Sequence, residues 1–327
     1  MYYKYDDEKI NYYGRWGKYD FWGADESMTS TTTGAYFEFT VKGGYALMHF
    51  GLEFMAHPYP HLYVSVDDAC SVEVPLDKMV RVKLNDNDAH KVTVLIKSAV
   101  EAQHRWYSPL ESKVSLMGID AEEMTETPKD KRKTMEIVGD SISEGVLIDA
   151  GNTYYAMDVK NRVYQNDVTA TYEYLTATEL GFRPIIMGYG AVGTTKSGSG
   201  SVPKAALAYP YCFDGVKTTY EDPDVILINH GANDAGATPE KYTEEYGNLL
   251  DTIINIHPTS KIIVLSAFCG AHTEALEKFV KEYSKANNKE ISFISSAGWI
   301  PKQPLHPLRD GHRIVADNLK KALKEIL

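Results

Sequence analysis

Cysteine is scarce in this chain. Only Cys70, Cys212 and Cys269 occur among 327 residues, far apart and odd in number. No C-x-x-C pair is there to begin a zinc site, and three scattered thiols make no disulfide framework. Buried free thiols in a reducing compartment are the expectation. Long apolar runs are missing too. The first residues, MYYKYDDEKINYYG, carry neither a basic start nor an apolar stretch. No signal peptide or membrane span is predicted, and cytoplasmic residence is the expectation, with secretion the alternative for a trimmed chain. Positive charge is also in deficit: 34 Lys and Arg face 45 Asp and Glu, a formal net charge of -11. That balance argues against nucleic acid and anionic membrane as partners and leaves a neutral or small substrate.

What is present divides in two. The length fits about two domains. Residues 1–125 read as β throughout. Alternating segments run at Ala35–Val41, Tyr45–Phe50, His61–Val66, Ser71–Val74, Val80–Leu84 and Lys91–Lys97, with a final strand at Ser112–Ile119. Turn signals such as Lys42-Gly43-Gly44, Asp67-Asp68 and Asn85-Asp86-Asn87-Asp88 separate them. Short, evenly spaced strands without helices predict a β-sandwich of jelly-roll type. Gly14-Arg15-Trp16 and Phe21-Trp22-Gly23 put aromatics near turns, either as a sugar-binding face or as packing at the sandwich edge. Ala121–Thr134 is charged and aperiodic, which places a linker at 126–134.

From residue 135 to 327 strands alternate with helices, the mark of an α/β domain with a parallel sheet. Strands are expected at Met135–Val138, Pro184–Gly188, Asp224–Asn229, Lys261–Ala267 and Glu290–Ile294. Helices are expected at Thr169–Leu180, Pro239–Ile256, Thr273–Ala286, with Thr273 as N-cap, and Asp310–Leu327. DVILIN is almost wholly apolar, as for a strand covered on both faces.

Four loops after these strands carry reactive residue types. Gly139-Asp140-Ser141 follows the first strand, where α/β sheets place reactive groups. Alone, it is also an ordinary turn. Gly188-Tyr189-Gly190-Ala191-Val192-Gly193 follows the second. It lacks the P-loop pattern, and no clean helix follows it, so an oxyanion-donor loop fits better than a nucleotide site. A flexible loop is the plain alternative. Gly231-Ala232-Asn233-Asp234 follows the third, and an Asn there can stabilise an oxyanion or simply make a turn. The last loop holds His306 between Pro304 and Pro307, and His312 inside the following helix. His306 is the better general base, and His312 suits packing or capping.

Taken in order, Gly-Asp-Ser, Gly193, Gly-x-Asn-Asp and His-Pro with a following Gly-His resemble the SGNH (GDSL-type) hydrolases across residues 135–327. The resemblance implies Ser141 as nucleophile and His306 as base. It implies an oxyanion hole of the Ser141 N–H, the Gly193 N–H and the Asn233 side chain. The leading β module, Gly14-Arg15, and Gly298-Trp299-Ile300 ahead of the His-Pro are similar to carbohydrate esterase family 2. That narrower resemblance implies removal of O-acetyl groups from plant polysaccharides or oligosaccharides of the xylan or mannan type. It implies a two-step acyl transfer with no cofactor and no metal.

One position departs from the family. Where SGNH enzymes usually carry Asp three residues before the histidine, this chain has Gln303. A carboxylate there orients the imidazole. With Gln303, a backbone carbonyl is left to do so in a Ser-His dyad, as some family 2 esterases have, or Asp310 or another carboxylate reaches the ring. Tyr189, Phe268 and Trp299, near strand ends, are candidates to line the substrate cleft or to belong to the core. Two other functions stay open: a lipid esterase or acyl-CoA thioesterase on the same fold, and a non-catalytic carbohydrate-binding protein.

Overall fold

A computed structural model of the chain describes residues 1–20, 26–151, 162–220 and 222–327. Phe21-Trp22-Gly23 therefore lie outside the described residues.

The N-terminal part is an antiparallel jelly-roll sandwich. Its longest strand, Tyr36–Phe50, runs straight through Lys42-Gly43-Gly44, where the sequence predicts a turn between two strands. Gly43 has φ +111, and a Cβ there would stand 2.7 Å from the Glu122 carboxyl carbon. The glycine pair thus makes a bend with a register shift opposite Ala121–Glu123, not a chain reversal. At the bend the strand exchanges one neighbour, His90–Ser98, for another, Met79–Lys83. The partner strand Val114–Thr125 is also longer than the Ser112–Ile119 expected, because Glu122 and Glu123 are rim residues of a continuing ladder.

Phe37, Phe39 and Val41 alternate into the sandwich core with Met48, Phe50, Leu62 and Ile96. The residues between them are buried as well. Tyr36 and Leu95 turn to the other face and pack with Met135, Ile137 and Ile186 of the second domain. One face of the sandwich is therefore a docking face.

The second domain holds five parallel strands. Their spatial order is Arg183–Gly188, Thr134–Gly139, Val225–Asn229, Lys261–Leu265, Ile291–Ile294. The chain enters at Thr134–Gly139, steps to one side for the second strand, then reverses to the other for the remaining three. Such a reversal opens a crevice at the carboxyl ends of the strands on either side of it. Side chains alternate to both faces. Val138, Ile226 and Ile228 meet Tyr242, Tyr246 and Leu249 of the Pro239–Ile256 helix. Ile137, Leu227 and Ile263 meet Tyr172, Val315 and Leu319 on the opposite layer. Fully burying each such side chain is worth about 1.5–3 kcal/mol.

Local starts differ from expectation at two helices. The Thr169–Leu180 segment is a 3₁₀ turn, Val168–Ala170, and then a helix, Tyr172–Glu179, whose N-cap Thr171 accepts from Tyr174 N–H. Thr273 is the first helical residue and not the cap. His272 precedes it in the left-handed region with no capping side chain. The cysteines also depart from expectation, since Cys212 is buried but Cys269 is half-buried and Cys70 exposed. Cys70 lies in the exposed connection between the His61–Val66 and Val72–Pro75 strands.

Candidate active site

The ends of three neighbouring strands lie side by side, with Gly139 in register with Gly188 on one side and Asn229 on the other. Ser141 opens a short helix, Ser141–Glu144, just past Gly139. Asp140 caps that helix by accepting the Ile142 N–H at 3.0 Å. Two glycines allow the helix to sit this close to the sheet. A Cβ on Gly139 would stand 2.0 Å from Ser143 Oγ, and one on Gly188 would stand 2.6 Å from the Glu144 nitrogen. Ser141 holds the first helical position, where an N–H has no acceptor within the helix.

His306 comes from the loop before the Arg309–Lys324 helix. Its Nε2 is 2.8 Å from Ser141 Oγ. Two neighbours fix that loop. Leu308 packs onto Val146, Leu147 and Ala150 behind the serine helix. Arg309 pairs with Asp149 at 2.6 Å and with Asp167 at 3.0 Å. Burial, with the nearby Arg162 guanidinium adding to it, lowers the His306 pKa to about 4. The ring is neutral at pH 7, so Nε2 can accept the serine proton.

The expected oxyanion donors are placed near the serine, but two of them have partners. Asn233 donates its side-chain amide to Asp140 Oδ2 and to the Val192 carbonyl, each at 3.1 Å. Both of its N–H bonds are so engaged, and reaching an oxyanion requires sharing or exchanging one. The Gly193 N–H donates to the Lys196 carbonyl at 3.1 Å within its own turn. Serving an oxyanion requires that N–H to exchange this bond, as with the Asn233 amide.

Gln303 is exposed and, among the described residues, makes no hydrogen bond to His306. Asp310 is likewise exposed, in the first turn of the last helix. His312 is the structural histidine. Its Nδ1 accepts the Tyr172 N–H at 3.0 Å and so caps a helix distant in sequence.

The aromatic candidates divide. Tyr189 is wholly buried, with its hydroxyl on Thr31 and the Cys212 carbonyl, and belongs to the seam between the domains. Phe268 is buried edge-on against Tyr172. Both are core residues and do not line a cleft, because each strand end here is covered by a neighbouring element. Trp299 is half-buried and partly packed on the same core.

Sequence reasoning missed the charged frame of the site. Glu144 is wholly buried and receives Arg105 through two bonds of 2.5 and 2.8 Å. Its Oε2 also accepts the Gly190 N–H at 2.7 Å. Burial pushes the Glu144 carboxyl up, and Arg105 counters that. Asp234 clamps the glycine loop, accepting the Thr194 and Thr195 N–H groups at 3.1 and 2.8 Å. A Cβ on Gly193 would stand 2.5 Å from that carboxylate. Arg15 repeats the interdomain theme, pairing with Glu136 at 3.2 Å and donating to the Tyr209 and Tyr211 carbonyls. A Glu inside the apolar stretch after Ser141 was the one available signal. Its arginine partner lies in the other domain and left none.

Among the described residues, no group of three or more His, Cys, Asp or Glu side chains could hold a metal ion. No helix of these residues is long and apolar enough to cross a membrane.

No protein-family model and no curated protein matches the sequence. Solved structures do match in fold along the whole chain. A family two carbohydrate esterase from Cellvibrio japonicus superposes with a TM-score of 0.79 at 20% identity, covering 100% of this chain and 97% of that one. An acetyl xylan esterase from the rumen bacterium Butyrivibrio proteoclasticus gives 0.76 at 16% identity, covering 99% and 98%. A family two carbohydrate esterase from Clostridium thermocellum, in complex with cellohexaose, gives 0.74 at 18%, covering 97% and 98%. The chain thus resembles the family two carbohydrate esterases in both domains and in their order.

Proposed function

We propose that this protein is a serine esterase acting on carbohydrate esters, and that it removes O-acetyl groups from oligo- or polysaccharides. The observation that carries the reading is the 2.8 Å contact between Ser141 Oγ and His306 Nε2 at the carboxyl edge of the parallel sheet. Its support in the comparisons is a two-domain fold like that of esterases acting on glycans.

The reaction is a two-step acyl transfer. Neutral His306 takes the Ser141 proton as Oγ bonds to the acetyl carbonyl carbon. The Ser141 N–H and the Asn233 amide stabilise the oxyanion, at roughly 3–4 kcal/mol per donor. Collapse breaks the bond to the sugar oxygen, which receives the proton from His306. Water then attacks the acetyl-serine, His306 takes its proton and returns it to Oγ, and acetate leaves. Each of these steps uses side chains and backbone of this chain, and the expected ligand is an acetylated glycan.

The test is hydrolysis of p-nitrophenyl acetate, butyrate and octanoate, followed by acetylated xylan and mannan oligosaccharides, with Ser141→Ala as control. Acetate turnover that falls with chain length and vanishes in the variant is expected. Preference for octanoate would move the reading to a lipid or thioester substrate. No serine-dependent turnover would leave a binding protein.

A further inference from the structure

The helical turn Arg162–Gln165 has two sides. Arg162 lies near enough to His306 to influence its ionisation. At about 100° per residue, Tyr164 points to the opposite side of that turn. Tyr164 is 53% exposed, yet it is not loose. Its ring stands edge-on to the His61 ring, with centroids 4.1 Å apart at 87°. Its carbonyl accepts Lys97 Nζ at 3.1 Å. His61 and Lys97 are both buried, and both bond to Glu73 Oε1, at 2.6 and 2.7 Å. Taking the Lys97 charge out of water is costly, while burial lowers the His61 pKa and favours its neutral ring. Here the two side chains fix a half-exposed aromatic ring, which is the opposite of what a merely solvated surface tyrosine needs.

The ring faces a groove of about 720 Å³ on the sandwich domain. Tyr59 also lines it and stacks on His57 with centroids 4.0 Å apart at 27°. Arg81 and Asp77, in the same lining, supply a donor and an acceptor of opposite charge. Flat rings with fixed orientation, interleaved with hydrogen-bonding groups, suit a pyranose, whose C–H face stacks while its hydroxyls bond. The charges balance, so a phosphate has no special partner. Leu52, Val74 and Met79 add apolar surface between these polar groups, the mixture that a sugar ring's C–H face and hydroxyls require.

We propose that this groove is a second glycan subsite, separated from the catalytic serine by the Arg162–Gln165 turn. It would hold a neutral sugar segment some residues along the chain from the ester being cleaved. The substrate class rests on the carbohydrate reading above, but the groove is distinct from the catalytic site.

The experiment titrates full-length Ser141→Ala with xylohexaose and mannohexaose by calorimetry. It is then repeated with Tyr164→Ala, Tyr164→Phe or Tyr59→Ala added. Binding of at least one hexaose is expected, weakened about fivefold or more by either alanine and retained by Tyr164→Phe, which keeps the ring. Unchanged thermal melting of the variants shows that the fold is intact. In Ser141-containing protein, Tyr164→Ala is expected to raise KM for acetylated polymer more than it alters kcat. If neither hexaose binds, or if both alanine variants bind within twofold of the parent, the subsite is overturned. Deacetylation of polymer together with Tyr164-insensitive binding would sink the groove and spare the esterase reading. Tyr164-sensitive binding with no turnover of any acetylated glycan would do the reverse.

Discussion

Arg105 and Glu144 meet fork to fork in a wholly buried pair that joins the sandwich domain to the helix opened by Ser141. The same carboxylate holds the Gly190 N–H, so one residue ties the sandwich, the serine helix and the glycine loop together. Removing one partner leaves a buried charge uncompensated. Arg105→Ala is expected to destabilise the protein by about 3–5 kcal/mol, read as a lower urea midpoint. Esterase activity should fall at temperatures where the fold still persists, since the serine helix loses its anchor. An unchanged midpoint would show that the pair is not what couples the domains.

Asp140, the residue before Ser141, accepts the Asn233 amide at 3.1 Å. Asn233→Ala should lower kcat by about 10²–10³, the usual worth of an oxyanion donor, with little change in KM. Asp140→Asn should act through the same amide and cost about tenfold in kcat, because an amide offers Asn233 one acceptor fewer. If Asn233→Ala raised KM alone, the amide would be a substrate contact and not an oxyanion donor.

Burial and Arg162 hold His306 at about 4, below the ordinary 6.5. The base must be neutral, and a lowered pKa keeps it neutral further into acid. The acid limb of kcat/KM on p-nitrophenyl acetate should therefore lie near pH 4–5. A limb near 6.5 would mean that the ring is more solvated than its surroundings indicate.

Gln303 stands exposed where a carboxylate would orient the histidine. Gln303→Ala should alter kcat/KM by no more than about twofold, while His306→Ala should cost at least about 10³-fold. Comparable losses in the two variants would assign Gln303 a direct part in holding the ring.

His312 is wholly buried, accepts the Tyr172 N–H and is held down at about 3 by burial, with His306 and Arg309 adding to it. The unfolded chain gains a proton on this residue below about 6.5, and the folded one does not. Its contribution to stability is therefore lost as pH falls from 6.5 towards 3, at about 1.4 kcal/mol per unit. His312→Gln keeps an acceptor for the Tyr172 N–H and removes the titration. The gap in denaturant midpoint between wild type and variant should shrink from pH 7.5 to pH 5. A constant gap would contradict the burial argument. Asp140 and Glu173, both raised to about 7 chiefly by burial, tilt the whole-protein curve the other way over much of that range. The comparison between the two proteins cancels them.

The residue pattern by itself determined the class of each half and the order of its strands along the chain. Period-two alternation at Phe37, Phe39 and Val41 and the apolar DVILIN run are local signals, and both made strands. It also named Ser141 and His306, because Gly-Asp-Ser and a Pro-bounded histidine are short patterns readable without a partner. Tertiary structure decided what those residues meet. The Ser141–His306 contact spans most of the second domain, and the Arg105–Glu144 and Arg15–Glu136 pairs cross between domains. Side-chain pairing at such separations leaves no periodicity to read. The same reason moved Tyr189 from the cleft into the seam, and it closed the Gly193 N–H into its own turn. Hydrogen-bond demand and burial are satisfied in three dimensions, whereas a motif records only which groups are available to satisfy them.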